Sequence, residues 1–334
     1  MKLAQFVNHN SFATLITYAT HLGVSHLNLL CDETDESVLY GHLSRANPQC
    51  EAFTAGTKAV AIFSQDVISC DAHHAAYVYG ELYVIDELEE KKRILDRLVQ
   101  HNEEHRPNPW HVRWDDRRYV LQLDAIVCLA FRITRFNIQQ FHQVLPIRST
   151  NTWQEKQEVQ STPIIPVASL LHIPTFFCED DAEKLWRFVD HHPLALVVMY
   201  SPERFYVRHI NLTRQLESTN LSGEMLVLDN LMPHETTQAF IIVTGPHCYV
   251  SPRFYQAAAN VPTWNYTAVY IEGLIDLFLN AGDDSKAIVQ FDTTRIFGKF
   301  KLSQNRKPED KAQIIEHLSG SEAENDQAVA ECML

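Results

Sequence analysis

Short runs of β-branched and aromatic residues, partly alternating with polar ones, recur along most of the chain. SHLNLLC (25–31), SVLYGHL (37–43), KAVAIFS (58–64), AAYVYGELYVI (75–85) and IVCLAFRIT (126–134) read as strands in the first half. AFIIVTG (239–245), YTAVYIEGLIDLF (266–278) and KAIVQFDTTRIF (286–297) do so in the second. Helical spacing appears between them. Residues 87–104 put Ile94, Leu95, Leu98 and Val99 on one face, and residues 181–191 group Leu185, Phe188 and Val189. Residues 308–318 open with Pro308, Glu309 and Asp310, a favourable first turn, and carry Ile314, Ile315 and Leu318 on one stripe. Strands that are not each followed by a helix predict antiparallel barrels rather than a parallel α/β sheet.

The pattern repeats. FVNHNSFATLIT (6–17) matches FVDHHPLALVVM (188–199), SHLNLL (25–30) matches RHINLT (208–213), and AVAIFSQD (59–66) matches AFIIVTGP (239–246), in the same order and at nearly the same spacing. Tyr77 and Gly80 then align with Tyr270 and Gly273, and Phe131, Thr134 and Arg135 with Phe291, Thr294 and Arg295. The spacing changes because the second half has extra residues within YVSPRFYQAAANVPTWNY, and the first half has an extra helical stretch near 87–118. The expected fold is mainly β with peripheral helices (α+β): two barrels of about six strands whose open flanks face each other, an intrachain pseudo-dimer. The expected organisation is an N-terminal barrel at 1–148, a polar linker at 149–163, a C-terminal barrel at 164–320 and an acidic tail, frayed or loosely helical, at 321–334.

Composition narrows the function classes. The 334 residues carry a formal net charge of -14, which opposes non-specific binding to a phosphate backbone. Seven cysteines without a CxxC pair fit free thiols in a reducing compartment, and no apolar run approaches the roughly 20 residues of a membrane helix, so a soluble cytoplasmic protein is expected. No metal is expected: His101 and His105 stand at helical spacing among acids and amides, and Cys70-Asp71-Ala72-His73 lacks a second cluster. There is no nucleophile elbow, Walker loop or GxGxxG, and no catalytic residue can be named.

GHLSRANPQ (41–49) carries the strongest local chemistry. Asn47 suits a helix cap and Pro48 its first position, so Ser44 and Arg45 fall at the end of a strand beside a helix N-terminus. Free N–H groups, a hydroxyl and a guanidinium converging there would suit a phosphate. From these residues alone, a plain strand-to-helix turn with a solvated arginine is the simpler reading.

FATLIT, SHLNLL, GHLSRANPQ and AVAIFS, with GPHCYVSPRFY, VPTWNYTAVYIEG and GKFKLSQNRKPEDK of the second half, are similar in order and wording to PaiB-type proteins. The resemblance covers nearly the whole chain. It implies the FMN-binding split barrel shared with pyridoxamine-phosphate oxidases, in which a Ser-Arg-Lys stretch holds the FMN phosphate. Ser44 and Arg45 match that stretch, with Ala46 in place of the lysine. Asn47 and Thr14 are candidates beside them, although FATLIT also reads as an ordinary core strand. Trp264 and Tyr266 offer flat surfaces for the flavin ring, and Lys299, Lys301, Gln304, Asn305 and Arg306 offer donors. The bland alternatives are core aromatics, an edge strand and a helix cap.

The motifs are lost in a complementary way: the first half lacks VPTWNY and KFKLSQNR, and the second lacks SRANP. One composite flavin site between the halves is therefore expected, with its mirror-related counterpart empty. The family is described as negative transcriptional regulators, but the acidic chain shows no helix-turn-helix, so direct DNA binding is not expected. A flavin-dependent oxidoreductase and a degenerate scaffold without flavin are the alternatives. Further pairing of the chain with a second copy, a homodimer, is compatible with this reading.

Overall fold

In the computed structural model, the described residues are 2–18, 21–65, 72–142, 171–200, 205–214, 218–226, 236–255, 260–280 and 283–334. The expected linker, Cys70 and Asp71 lie outside them. The first half runs α1 (Leu3–His9), β1 (Phe12–Tyr18), β2 (Leu22–Cys31), β3 (Val38–Ser44), β4 (Thr57–Ser64), β5 (Ala72–Ile85), α2 (Leu88–Glu103), α3 (Arg117–Val120) and β6 (Ile126–His142). The second runs β7 (Cys178–Glu179), α4 (Ala182–His191), β8 (Leu194–Tyr200), β9 (Phe205–Arg214), β10 (Leu221–Leu226), β11 (Thr237–Val250), β12 (Thr263–Asn280), β13 (Asp283–Lys301), α5 (Pro308–Ser319) and α6 (Glu324–Met333).

The first six strands close into an antiparallel barrel, in the order β1-β2-β3-β6-β5-β4. The second half follows the same circuit, β8-β9-β10-β13-β12-β11, with β7 added alongside β13. Even the irregularities correspond. A bulge follows Tyr79 in the β5–β6 pairing and Glu272 in the β12–β13 pairing, each just before a glycine. The repeat read from the sequence is thus a repeat of topology.

Successive side chains of a strand point to opposite faces, and this explains why β1 reads as an unbroken apolar run. Leu15 joins the interior of the first barrel, while its neighbour Ile16 joins a core that both barrels share. Val197 and Val198 divide in the same way in β8. The shared core draws on matching positions from both sides: Val24 with Val207, Val60 with Phe240, Ile62 with Ile242 and Tyr77 with Tyr270. Each such buried side chain contributes roughly 1.5–3 kcal/mol, so the barrels are held face to face by the surface that a two-fold dimer would bury.

The short helix after Asn47 is a 3-10 helix, Pro48–Ala52, and Asn47 caps it as the sequence indicates, accepting from Gln49 N at 3.0 Å. One expectation changes. The acidic tail is not frayed: α6 buries Val329, Ala330 and Met333 in the second barrel's core with Ile314 and Leu318 of α5. Its acids dominate the composition, but its apolar residues share one helical stripe. Among the described residues, no helix is long and apolar enough to cross a membrane.

Candidate functional site

A cavity of about 490 Å³ lies between the two barrels, with walls from both. β2 and β3 supply one side of it: His26 and Asn28 line it with their neighbours Ser25 and Leu27, and His42 and Ser44 line it with Leu43 between them. On β13, Lys299 and Lys301 face it, while Phe300 between them packs into the second barrel. Trp264 and Tyr266 of β12 complete the barrel-supplied wall.

Polar atoms here are buried without partners. Among the described residues, His26 Nε2, Asn28 Oδ1 and His42 Nδ1 have no hydrogen-bond partner. His26 is oriented by its other nitrogen, 3.1 Å from Thr14 Oγ1. Burial, then the nearby Lys299 and His247, pushes the His26 imidazole down to about 3. Burial and Lys301 push His42 down to about 4. Both rings are therefore neutral near pH 7, each with one donor and one acceptor nitrogen.

The lysines add charge without neutralising it. Lys299 Nζ donates to the His172 carbonyl at 2.6 Å, and Lys301 Nζ to Thr263 Oγ1 at 2.7 Å. Among the described residues, neither has a carboxylate within 4.0 Å. Burial lowers Lys299 to about 7, helped by Lys301, and lowers Lys301 to about 8, helped by Arg306. Two ammonium groups desolvated without a counter-ion are costly unless an anion joins them.

The sequence candidates separate into two groups. Ser44, Asn47, Trp264, Tyr266 and Lys301 all line the cavity. Asn47 is committed to scaffolding: its amide donates to Ser25 Oγ at 2.7 Å while its oxygen caps the turn. One face of Trp264 is taken by Phe12, with ring centres 4.8 Å apart. Thr14 stands behind His26. Arg45, the first residue after β3, turns away from the cavity; it donates to the carbonyls of Asp124 and Ile126 and lies 3.6 Å from Asp86. Gln304 hydrogen-bonds the backbone at Phe300 and Leu302, Asn305 is exposed, and Arg306 binds Asn260 Oδ1 and covers the Tyr255 ring. These three shape the turn into α5 rather than the cavity wall. His26, His42 and Asn28 carry no sequence signal of a site, because a half-buried histidine on an apolar strand looks alike whether its second nitrogen meets protein or a cavity.

The mirror-related place is built differently. The β5–β6 counterparts of Tyr266 and Lys301 are His73 and Phe141, as the paired registers show. There His73 and Phe141 pack against His209 at 5.7 and 5.3 Å, and Tyr77 Oη lies 2.6 Å from His209 Nδ1.

The chain is similar to several known proteins. The family described as "Putative FMN-binding domain" matches residues 1–69, 65–135 and 171–323. The chain is similar to the protease synthase and sporulation protein PAI 2 of Bacillus subtilis (strain 168), with 26% identity over 203 residues that span 49% of this chain and 96% of that protein. Among solved structures, the FAD and heme binding protein of Mycobacterium smegmatis aligns with 50% of this chain and 91% of its own, at 16% identity and a TM-score of 0.33. The flavocytochrome Anf3 of Azotobacter vinelandii aligns with 51% and 85%, at 12% identity and a TM-score of 0.31.

The cavity fits the cofactor of this family. FMN combines a flat ring system edged with carbonyls and nitrogens, and a phosphate. The walls offer aromatic surface, unpartnered imidazole and amide atoms, and two ammonium groups that lack an anion. The volume lies within the range of ordinary ligand pockets, roughly 300–1,000 Å³. With matches to the family over most of both halves, the chain belongs to the FMN-binding-domain family, as a tandem duplication of its barrel.

Proposed function

We propose that this chain holds one FMN in the composite cavity between its barrels. The observation that carries the reading is the pairing of Lys299 and Lys301, from the second barrel, with His26, Asn28, His42 and Ser44, from the first. Neither half has the full set. The counterpart crevice has Phe141 where the cavity has Lys301, which removes the charge an anionic cofactor needs.

The flavin serves a regulatory protein in this reading. The name of the Bacillus relative connects that protein with protease synthesis and sporulation. With a net charge of -14, this chain is suited to acting through its flavin-loaded state or a protein partner rather than by gripping duplex DNA.

Titration of flavin-free protein with FMN, followed by visible absorbance and calorimetry, tests the reading. One FMN per chain is expected, and Lys301→Met should weaken it by roughly tenfold or more, about 1.4 kcal/mol. Two equivalent sites per chain, or no uptake, would refute it.

A further inference from the structure

The cavity has a wall that owes nothing to the repeat. In the second barrel, β12 and β13 are joined directly, from Asn280 to Asp283. At the same point the first barrel inserts α2, α3 and the loop between them, and this insertion lines the cavity with Leu98, Trp110, Val112, Trp114, Tyr119 and Leu123. The insertion contains some of the most charged stretches of the chain, ELEEKKRILDR and DDRR. Yet none of its charged side chains lines the cavity; Asn102 and Gln122 are its polar contributions.

This wall is pre-ordered. The Trp114 indole N–H donates to the Asp96 carboxylate at 2.9 Å, Trp110 packs edge-on against Tyr119 at 5.8 Å, and the Trp110 backbone N–H donates to Glu103 at 3.1 Å. The second barrel clamps it with a segment that the first barrel lacks. Tyr249 donates to Glu103, Arg253 donates to the Pro109 carbonyl at 3.3 Å, and Arg106 covers the Tyr249 and Phe254 rings. Apolar surface held open to water costs about 25 cal/mol per Å², and rings fixed in advance bind a flat ligand with little further ordering.

We propose that the insertion makes the cavity a two-ligand site, its wall taking an uncharged planar aromatic molecule of one or two rings beside the cofactor. This rests on the reading that FMN uses the barrel-supplied wall. The absence of charge on the insertion's wall sets the class of ligand. The amides of Asn102 and Gln122 suit hydrogen-bonding groups on its edge.

Calorimetric titration of FMN-loaded protein with 2-naphthol tests this, with naphthalene-2-sulfonate as the charged analogue. We expect 2-naphthol to bind more tightly than the sulfonate, and Trp110→Ala to weaken it about tenfold while FMN affinity changes less than about threefold. Val112→Asp, checked for folding by circular dichroism, should act like Trp110→Ala. Competition between 2-naphthol and FMN, equal binding of the sulfonate, or indifference to both substitutions would overturn the proposal. A chain that takes up no FMN but binds 2-naphthol through Trp110 would refute the cofactor reading and uphold the aromatic wall.

Discussion

The phenol of Tyr249 donates to Glu103 Oε1 at 3.0 Å, joining the end of β11 to α2, a helix found only in the first half among the described residues. The carboxylate is fully buried, and its other oxygen accepts from Trp110 N and lies 4.0 Å from Arg106 Nε. Burial, then Glu103, holds the Tyr249 phenol far above its ordinary range, so it stays a donor at all working pH values.

Removing that donor strands a buried carboxylate oxygen. Tyr249→Phe should therefore cost about 1–3 kcal/mol, read as a lower urea midpoint with an unchanged slope. Glu103→Gln, which keeps an acceptor for Tyr249, should cost less than Glu103→Ala. If Tyr249→Phe left the midpoint where it was, the clamp between the two insertions would not bear on stability.

Gly80 and Gly273 make a matched pair of predictions. A Cβ at Gly80 would come within 2.6 Å of the Phe131 ring, and one at Gly273 within 2.6 Å of the Phe291 ring, each also striking a carbonyl of the neighbouring strand. Both phenylalanines are fully buried in their barrels and have no room to retreat. Alanine at either place should destabilise by at least about 1–3 kcal/mol, the scale of an overpacked core. Thermal melts of the two variants should fall together, since the barrels share a core.

The lysine pair predicts opposite pH dependences for the empty and loaded protein. In the ligand-free fold Lys299 and Lys301 hold their protons only below about 7 and 8, whereas the unfolded chain holds them to its ordinary value of 10.5. Between those limits the unfolded state binds more protons, so the stability of the empty protein rises with pH from about 7 upward. In the proposed site FMN is held by the charged lysines, so its affinity should fall over the same range. Lys299→Met should flatten part of both profiles; profiles that kept their slopes would remove Lys299 from the site.

Much of this was legible in the sequence, for identifiable reasons. Strand identity and order could be read because β-branched runs are punctuated by turns, and the duplication because Tyr77/Tyr270 and Gly80/Gly273 are fixed by the same bulge and the same shared core. The division of Leu15 and Ile16 between two cores could not be read, since both faces of β1 are apolar. Nor could the docking of α6, whose Val329, Ala330 and Met333 stand among Glu324, Asn325, Asp326, Gln327 and Glu331. At the site, Trp264, Tyr266 and Lys301 carried recognisable chemistry, but the orphaned nitrogens of His26 and His42 exist only once a second barrel stands opposite them.

Arg45 and Lys301 give the sharpest contrast between motif and geometry. The Ser-Arg resemblance implies that Arg45 grips the phosphate, so that Arg45→Ala would weaken FMN by about 1.5–3 kcal/mol, the scale of a charge-assisted hydrogen bond. In the fold its guanidinium is half-exposed, bonded to two carbonyls and close to Asp86, and it does not line the cavity. Lys301 lines the cavity with no carboxylate within 4.0 Å among the described residues. Arg45→Ala should thus change FMN affinity by less than about threefold, because the arginine would have to leave three partners to reach the cofactor, and Lys301→Met should change it by about tenfold or more. The reverse ranking in a calorimetric titration would return the phosphate to the Ser44–Arg45 end and leave the lysines to another anion.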